Sequence, residues 1–366
     1  MSPLLILAAL IHLASAALSL LARAAILRTY SKPVRGHFPI VHLLNYKNVQ
    51  YYADITLGTP PQSFKVSLDM TSPITVVPSA DCDQSETNCA EHGRYSNFKS
   101  STYQGVGAHW ASTVDPDNVS GYYSVDTLSL GDLKVTGQTF AEAVNLNTYD
   151  FSQAKYDGIL GLGFQNDSIP NTVLTNLVKN RFVANPGFGL WLNNDTTDTY
   201  GGELALGVAD FTRFTGTVKT VPISDKSDTW SLDMTSISAN GYELNLGCDA
   251  LVTPSNARIS LPQYFADQLH SYLGGRSIAS GQYAFDCTKL DQLSDVTLTF
   301  SYEYQFKVTK DDYVTVTDTP LGKFCLSAFE GNQGSGCVIG SPFLRHWYSY
   351  FDTRGRTISF VQAVHE

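Results

Sequence analysis

Short runs of strand character separated by turn residues set the pattern of the chain from Tyr51 onward. Tyr51-Tyr52-Ala53-Asp54-Ile55-Thr56-Leu57 is rich in aromatic and β-branched residues, and Gly58-Thr59-Pro60-Pro61 after it is a turn. Ser63-Phe64-Lys65-Val66-Ser67-Leu68 then alternates polar and apolar residues, as a half-buried strand does. Strands at such spacing predict sandwiches or barrels. Helical spacing is confined to short pieces. Residues 172–179 place Val173, Leu174, Leu177 and Val178 on one side, and residues 262–273 space Phe265, Leu269 and Leu273 four apart. Tyr156-Asp157-Gly158-Ile159-Leu160-Gly161-Leu162-Gly163 sets an apolar pair between glycines, and Cys337-Val338-Ile339-Gly340 repeats the idea in the second half. Both read as buried strands with close backbone approach, so the pattern predicts two similar β halves.

Composition narrows this picture. The chain has 366 residues, too many for one ordinary core and suited to two domains. Hydrophobic residues make up 43% and charged residues 16%, a globular balance. A net charge of −10 argues against nucleic acid, whose phosphates demand clustered Lys and Arg, and against anionic membrane; its default role is solubility. The run Leu4-Leu5-Ile6-Leu7-Ala8-Ala9-Leu10 followed by Ala14-Ser15-Ala16 makes residues 1–16 a signal peptide. A membrane anchor is the alternative, because apolar residues continue through Leu20-Leu21; His12, Ser15 and Ser19 favour cleavage. Residues 17–45 are a basic segment with Arg23, Arg28, Lys32 and Arg35, read as a vestigial propeptide or a disordered N-terminus. Six cysteines suit an oxidising compartment, with Cys82 and Cys89 placed to close a small loop. Sequons begin at Asn118, Asn166 and Asn194, which marks a glycoprotein. The eight histidines show no metal-binding spacing and there is no Gly-x-Ser-x-Gly elbow, so neither a metal, a cofactor nor a serine hydrolase is expected.

Several ordered motifs resemble the pepsin-like aspartic peptidase family. The segment 51–66 resembles its opening strands and turn, Asp69 falls where its first catalytic aspartate belongs, and Val77-Pro78-Ser79 closes that segment. Residues 157–163 resemble the strand beneath that aspartate. Trp230-Ser231-Leu232-Asp233-Met234 resembles the start of the second lobe, and Val338-Ile339-Gly340-Ser341-Pro342-Phe343-Leu344-Arg345 with Tyr350-Phe351-Asp352 the closing strands. The match runs from about Leu43 to the end of the chain. The resemblance implies an all-β fold of two six-stranded-type barrel lobes with a central cleft crossed by a hairpin flap. On this reading residues 46–218 form the N-terminal lobe and 219–366 the C-terminal lobe. It also implies Cys82–Cys89 and Cys287–Cys325 bridges, and leaves Cys248 and Cys337, which flank the central strands of the C-terminal lobe, as a third pair.

The family's chemistry needs two carboxyl groups in one site. Their repulsion keeps one protonated while the other activates water. Each aspartate normally opens an Asp-Thr-Gly triplet. Here Asp69 survives, but Met70 and Thr71 replace the bracing threonine and the glycine, and Ser72 is expected to hydrogen-bond Asp69. In the second half Cys248-Asp249-Ala250-Leu251-Val252 leads to Thr253-Pro254-Ser255, so Thr253 stands at the second carboxylate and cannot share a proton. Pro254 has neither hydroxyl nor N–H. Asp249 lies four residues upstream, roughly 13 Å away along an extended strand, and does not substitute. At the flap the family's tyrosine is replaced by Val114, and the tip becomes Asp115-Pro116-Asp117-Asn118, where a glycan on Asn118 would hinder closure. Ser72, Val114 and Ser255 are the other cleft and flap candidates. The expectation is a secreted, monomeric homologue that binds peptide or protein without cutting it. Two alternatives stand beside it: an active aspartic endopeptidase working at acidic pH, its degraded dyad completed by another chain, or a structural or storage-type secretory glycoprotein.

Overall fold

The turn at residues 58–61 joins two antiparallel strands, Gln50–Leu57 and Gln62–Asp69, in the register Ile55↔Phe64. Ala53, Ile55 and Leu57 are buried and face Phe64, Val66 and Leu68 in one core, so the alternation in sequence is the alternation of two sheet faces. This computed structural model describes residues 38–365, except 84–86, 113–118, 147–150, 166–170 and 321. The signal peptide, Val114, Asn118 and Asn166 lie outside the described residues.

Among the described residues strands dominate, arranged in three sheets of thirteen, seven and four. The thirteen-stranded sheet joins distant parts of the chain. Its centre pairs Gln62–Asp69 in parallel with Gly158–Gly161, and toward one edge Trp347–Asp352 pairs with Gly187–Leu192 and with Thr357–Ala363. The seven-stranded sheet is built around Ser231–Ala239 and Tyr242–Val252, the latter parallel to Cys337–Ile339. The expected lobe boundary between residues 218 and 219 falls inside the strand Phe214–Pro222, which pairs with Thr357–Ala363. The end of the basic N-terminal segment is also ordered. Ile40–Tyr46 is a strand between Tyr200–Leu206 and Gln50–Leu57, because Val41 and Leu43 alternate into the core.

Both helical stretches read from the spacing are present. Val173–Lys179 buries Val173, Leu174 and Leu177, while Val178 is only half-buried. The buried polar residue there is Asn176, whose amide is satisfied by the carbonyls of Thr136 and Gly137 at 3.2 Å. Gln263–Leu273 buries Ala266, Leu269, His270 and Leu273, leaves Phe265 half-buried, and ends on Gly274 in the left-handed region at φ 75°. All three disulfides form: Cys82–Cys89, Cys287–Cys325 and Cys248–Cys337.

Trp230 sits where the two halves of the core meet. Its ring is fully buried, 4.2 Å from Phe164, 5.1 Å from Phe351 and 5.9 Å from Phe188 by ring centroids. Its indole N–H donates to the Leu162 carbonyl at 2.8 Å.

His270 is a buried titratable group of the helix Gln263–Leu273. Its Nδ1–H donates to the Ala266 carbonyl at 2.7 Å, which leaves Nε2 to accept from the Ser327 hydroxyl at 2.8 Å. Burial pulls its pKa down to about 4, against the smaller opposing pull of the Ala266 carbonyl and Asp267. The native state therefore holds the ring neutral while an unfolded histidine protonates near its ordinary value of about 6.5. This contribution to stability is complete above that pH and is lost as pH falls toward 4, on the order of 1.4 kcal/mol per unit. His270→Gln should flatten the pH dependence in this window. Urea midpoints at pH 7 and 4.5 for the two proteins check it, and an unchanged slope contradicts it.

Candidate active site

Phe64, Val66 and Leu68 bury one face of their strand and deliver Asp69 at its C-terminal end, half-buried, opposite Gly161. The chain then turns. Met70 goes fully into the core, and the Thr71 backbone N–H and hydroxyl both donate to Asp69 Oδ1, at 2.8 and 2.6 Å. The expected partner, Ser72, does something else: its Oγ accepts from the Ile74 N–H at 3.2 Å. The reason is local. A hydroxyl two residues after an aspartate closes this tight turn, whereas Ser72 lies one residue further on and caps the next turn.

The loop is clamped from below. Leu162 N–H donates to the Asp69 carbonyl at 2.8 Å, and Gly163 N–H to that of Ser72 at 3.0 Å. Thr75–Pro78 then returns antiparallel to Gly158–Gly161. Gly161 admits this crossing: a Cβ there would lie 2.5 Å from backbone atoms of Pro73 and Ile74.

The second half repeats the strand pairing of this arrangement. Leu68 pairs in parallel with Leu160, and Val252 pairs in parallel with Ile339. Each pair precedes a glycine whose Cβ position is occupied by the returning loop; for Gly340 the obstructing atoms are the carbonyl oxygens of Arg258 at 2.2 Å and Asn256 at 2.3 Å. Ile259–Pro262 returns antiparallel to Cys337–Ile339, as Thr75–Pro78 does in the first half. The residue after Val252 is Thr253, so Thr253 holds the register position of Asp69, and Pro254 that of Met70.

Thr253 is 5% exposed; its N–H donates to the Ile339 carbonyl at 3.0 Å and its hydroxyl shares a 2.8 Å hydrogen bond with that of Ser255. Ser255 is exposed and Pro254 buried. Asp249 is engaged elsewhere, accepting from the Ser224 hydroxyl at 2.5 Å on a strand where it pairs with Asp233. Among the described residues no group of three or more His, Cys, Asp and Glu is arranged to hold a metal ion.

A cavity of about 790 Å³ opens on Asp69 and Ser72. Trp110, Tyr123, Phe151 and Phe164 are among its walls, and Arg356 is on its lining. Trp110 comes from a hairpin in which Gln104–Ala111 pairs with Val119–Leu130, Ala111 opposite Ser120. Residues 113–118, the expected flap tip with Val114 and Asn118, connect these strands. Thr253 and Ser255 are not among the lining residues. The aromatic walls and Arg356 were not legible in sequence, because they come from five separate segments and no spacing links them.

A family model described as eukaryotic aspartyl protease matches residues 50–363. Vacuolar protease A of Aspergillus fumigatus is 33% identical over 323 residues, covering 87% of this chain and 80% of that protein. Cathepsin D of Gallus gallus is 33% identical over 331 residues, covering 88% and 83%. The vacuolar aspartic protease of Candida albicans is 35% identical over 325 residues, covering 87% and 77%. With its two register-equivalent loops and its mostly-β architecture, this chain belongs to the pepsin-like aspartic peptidase family.

Proposed function

We propose that this chain is a non-catalytic member of its family that holds a peptide or protein segment in its cleft. The observation that carries this reading is Thr253 at the register position of Asp69. Hydrolysis by this fold requires a base to activate water and an acid to protonate the scissile carbonyl. Asp69 can serve as one of these; a threonine hydroxyl cannot serve as the other. Loss of one positioned acid or base costs about 10²–10⁴ in rate. Met70 and Pro254, both buried where bracing threonines are expected, remove further preorganisation, worth about 10²–10³ and not simply additive.

The chain acts in the secretory pathway or beyond it. Three disulfides and a leader-like N-terminus support this, and among the described residues no helix is long and apolar enough to cross a membrane. Asn194 carries a glycan: it lies exposed in the loop between Gly187–Leu192 and Tyr200–Leu206 and opens a sequon.

A second reading, an acid endopeptidase, is favoured by one fact: the relatives from Aspergillus fumigatus and Candida albicans, matched over most of their length, are called proteases. Incubation with unfolded protein from pH 2 to 7 separates the two. No cleavage above background is expected; cleavage that disappears in Asp69→Asn establishes the second reading.

A further inference from the structure

The polar groups facing the cavity say more about its occupant. In a two-carboxyl site, one protonated carboxyl can donate to a peptide carbonyl. Here Asp69 stands without a second carboxyl at the equivalent position. As a carboxylate it is an acceptor only. Its Oδ1 already takes both donors of Thr71, whereas Oδ2 accepts no hydrogen bond among the described residues. The group complementary to Oδ2 is therefore a hydrogen-bond donor, and a charged donor gives the stronger bond.

The walls point the same way. Trp110, Tyr123 and Phe151 line the cavity, and aromatic faces attract cations and cover the apolar stem of a long basic side chain. The remaining charged groups of the lining are Asp157, Asp228 and Arg356. Asp157 is occupied by the N–H groups of Lys65 and Gly93. Asp228 is exposed and adds negative charge at the rim. Arg356 is already engaged: its guanidinium lies 4.9 Å from the Phe164 ring centre and donates to the Ser227 carbonyl at 2.8 Å. Lys155, whose ammonium lies 5.6 Å from the Tyr46 ring centre, is not on the lining.

We infer that the cleft recognises a lysine or arginine side chain of its peptide ligand, with Asp69 Oδ2 as the anchor and the aromatic walls around the stem. This rests on the reading that the cleft binds peptide without cutting it. The carboxylate that an active member uses on water is here a specificity determinant.

The test uses the full chain and four extended heptapeptides, apolar and identical except for a central Lys, Arg, norleucine or Glu. The single variable position lets each peptide slide until that residue finds its site. Fluorescence anisotropy should show Lys and Arg binding about ten- to a hundredfold more tightly than norleucine, and Glu weakest. The preference should shrink at high salt and vanish in Asp69→Asn, which keeps the Oδ1 acceptor for Thr71. Four equal affinities would overturn the inference and leave peptide binding intact. A Lys preference that persists in Asp69→Asn would overturn the assignment to Asp69. Binding of none of the four would overturn both this inference and the reading beneath it. The comparison of peptides on the unaltered chain decides the matter even if the variant folds poorly.

Discussion

A variant carrying Thr253→Asp, Met70→Thr and Pro254→Thr is expected to cleave unfolded protein at acidic pH at least about 10²-fold faster than the unaltered chain. The register of the two loops is the reason. Leu68–Leu160 and Val252–Ile339 are equivalent pairs, so an aspartate at 253 enters at the position matching Asp69. Two carboxyl groups then compete for one proton, and the pair can supply acid and base together. Thr253→Asp alone should gain little. Met70 is packed in the core and Pro254 has no hydroxyl, so neither loop is held as a two-carboxyl site needs. Every variant with an aspartate at 253 should lose stability at neutral pH, because the position is 5% exposed and would carry a charge there. The gain is measured by release of peptides from unfolded protein at pH 3–5, and it should vanish when Asp69→Asn is added. A triple variant that folds, shown by an unchanged circular dichroism spectrum, and still cuts nothing would mean that the missing carboxyl is not what silences the site.

The largest effect on stability is expected at Trp230. Trp230→Ala should cost about 3–5 kcal/mol, the range for truncating a buried aromatic. The ring touches aromatic residues from three segments, and its N–H satisfies the Leu162 carbonyl. Removing it leaves both a cavity and an unpaired buried acceptor. Trp230→Phe restores most of the packing but not the donor, and should cost about 1–3 kcal/mol. The loss also bears on the site. Leu162 takes the Trp230 donor on its carbonyl and gives its own N–H to the carbonyl of Asp69, so slack at Trp230 reaches the active loop in one step. Urea unfolding of the three proteins checks the order, and a Trp230→Ala variant within 1 kcal/mol of the parent would contradict it.

Much of this could be read from sequence where the physics is local. Strand alternation at residues 63–68 depends only on which face of a pleat each residue takes, and it holds from Ser63 to Val66, whereas Ser67 is buried as well as Leu68 because both faces of the strand are covered there. The glycines of residues 157–163 and Gly340 mark close backbone approach, and the structure gives the atoms they approach. Cys248 and Cys337, left over once the family pairs were assigned, do form a bridge, because parallel pairing of Ala250 with Cys337 brings their strands together. Side-chain direction within a loop was not legible. Ser72 and Thr71 both carry hydroxyls near Asp69, and only the turn geometry decides that Thr71 makes the bond. Long-range assembly was equally hidden. The strand Ile40–Tyr46 finds its partner about 160 positions later, and the aromatic cavity walls gather from segments with no common spacing. The pairing of His270 with Ser327 depends on a helix and a strand meeting face to face, which no motif announces.

The most direct measurement is the simplest. The full chain and its Asp69→Asn variant, purified side by side, are incubated with unfolded protein across pH 2–7, and new peptide termini are counted by mass spectrometry. Both proteins should show the same background at every pH. Cleavage by the unaltered chain that Asp69→Asn abolishes would contradict this.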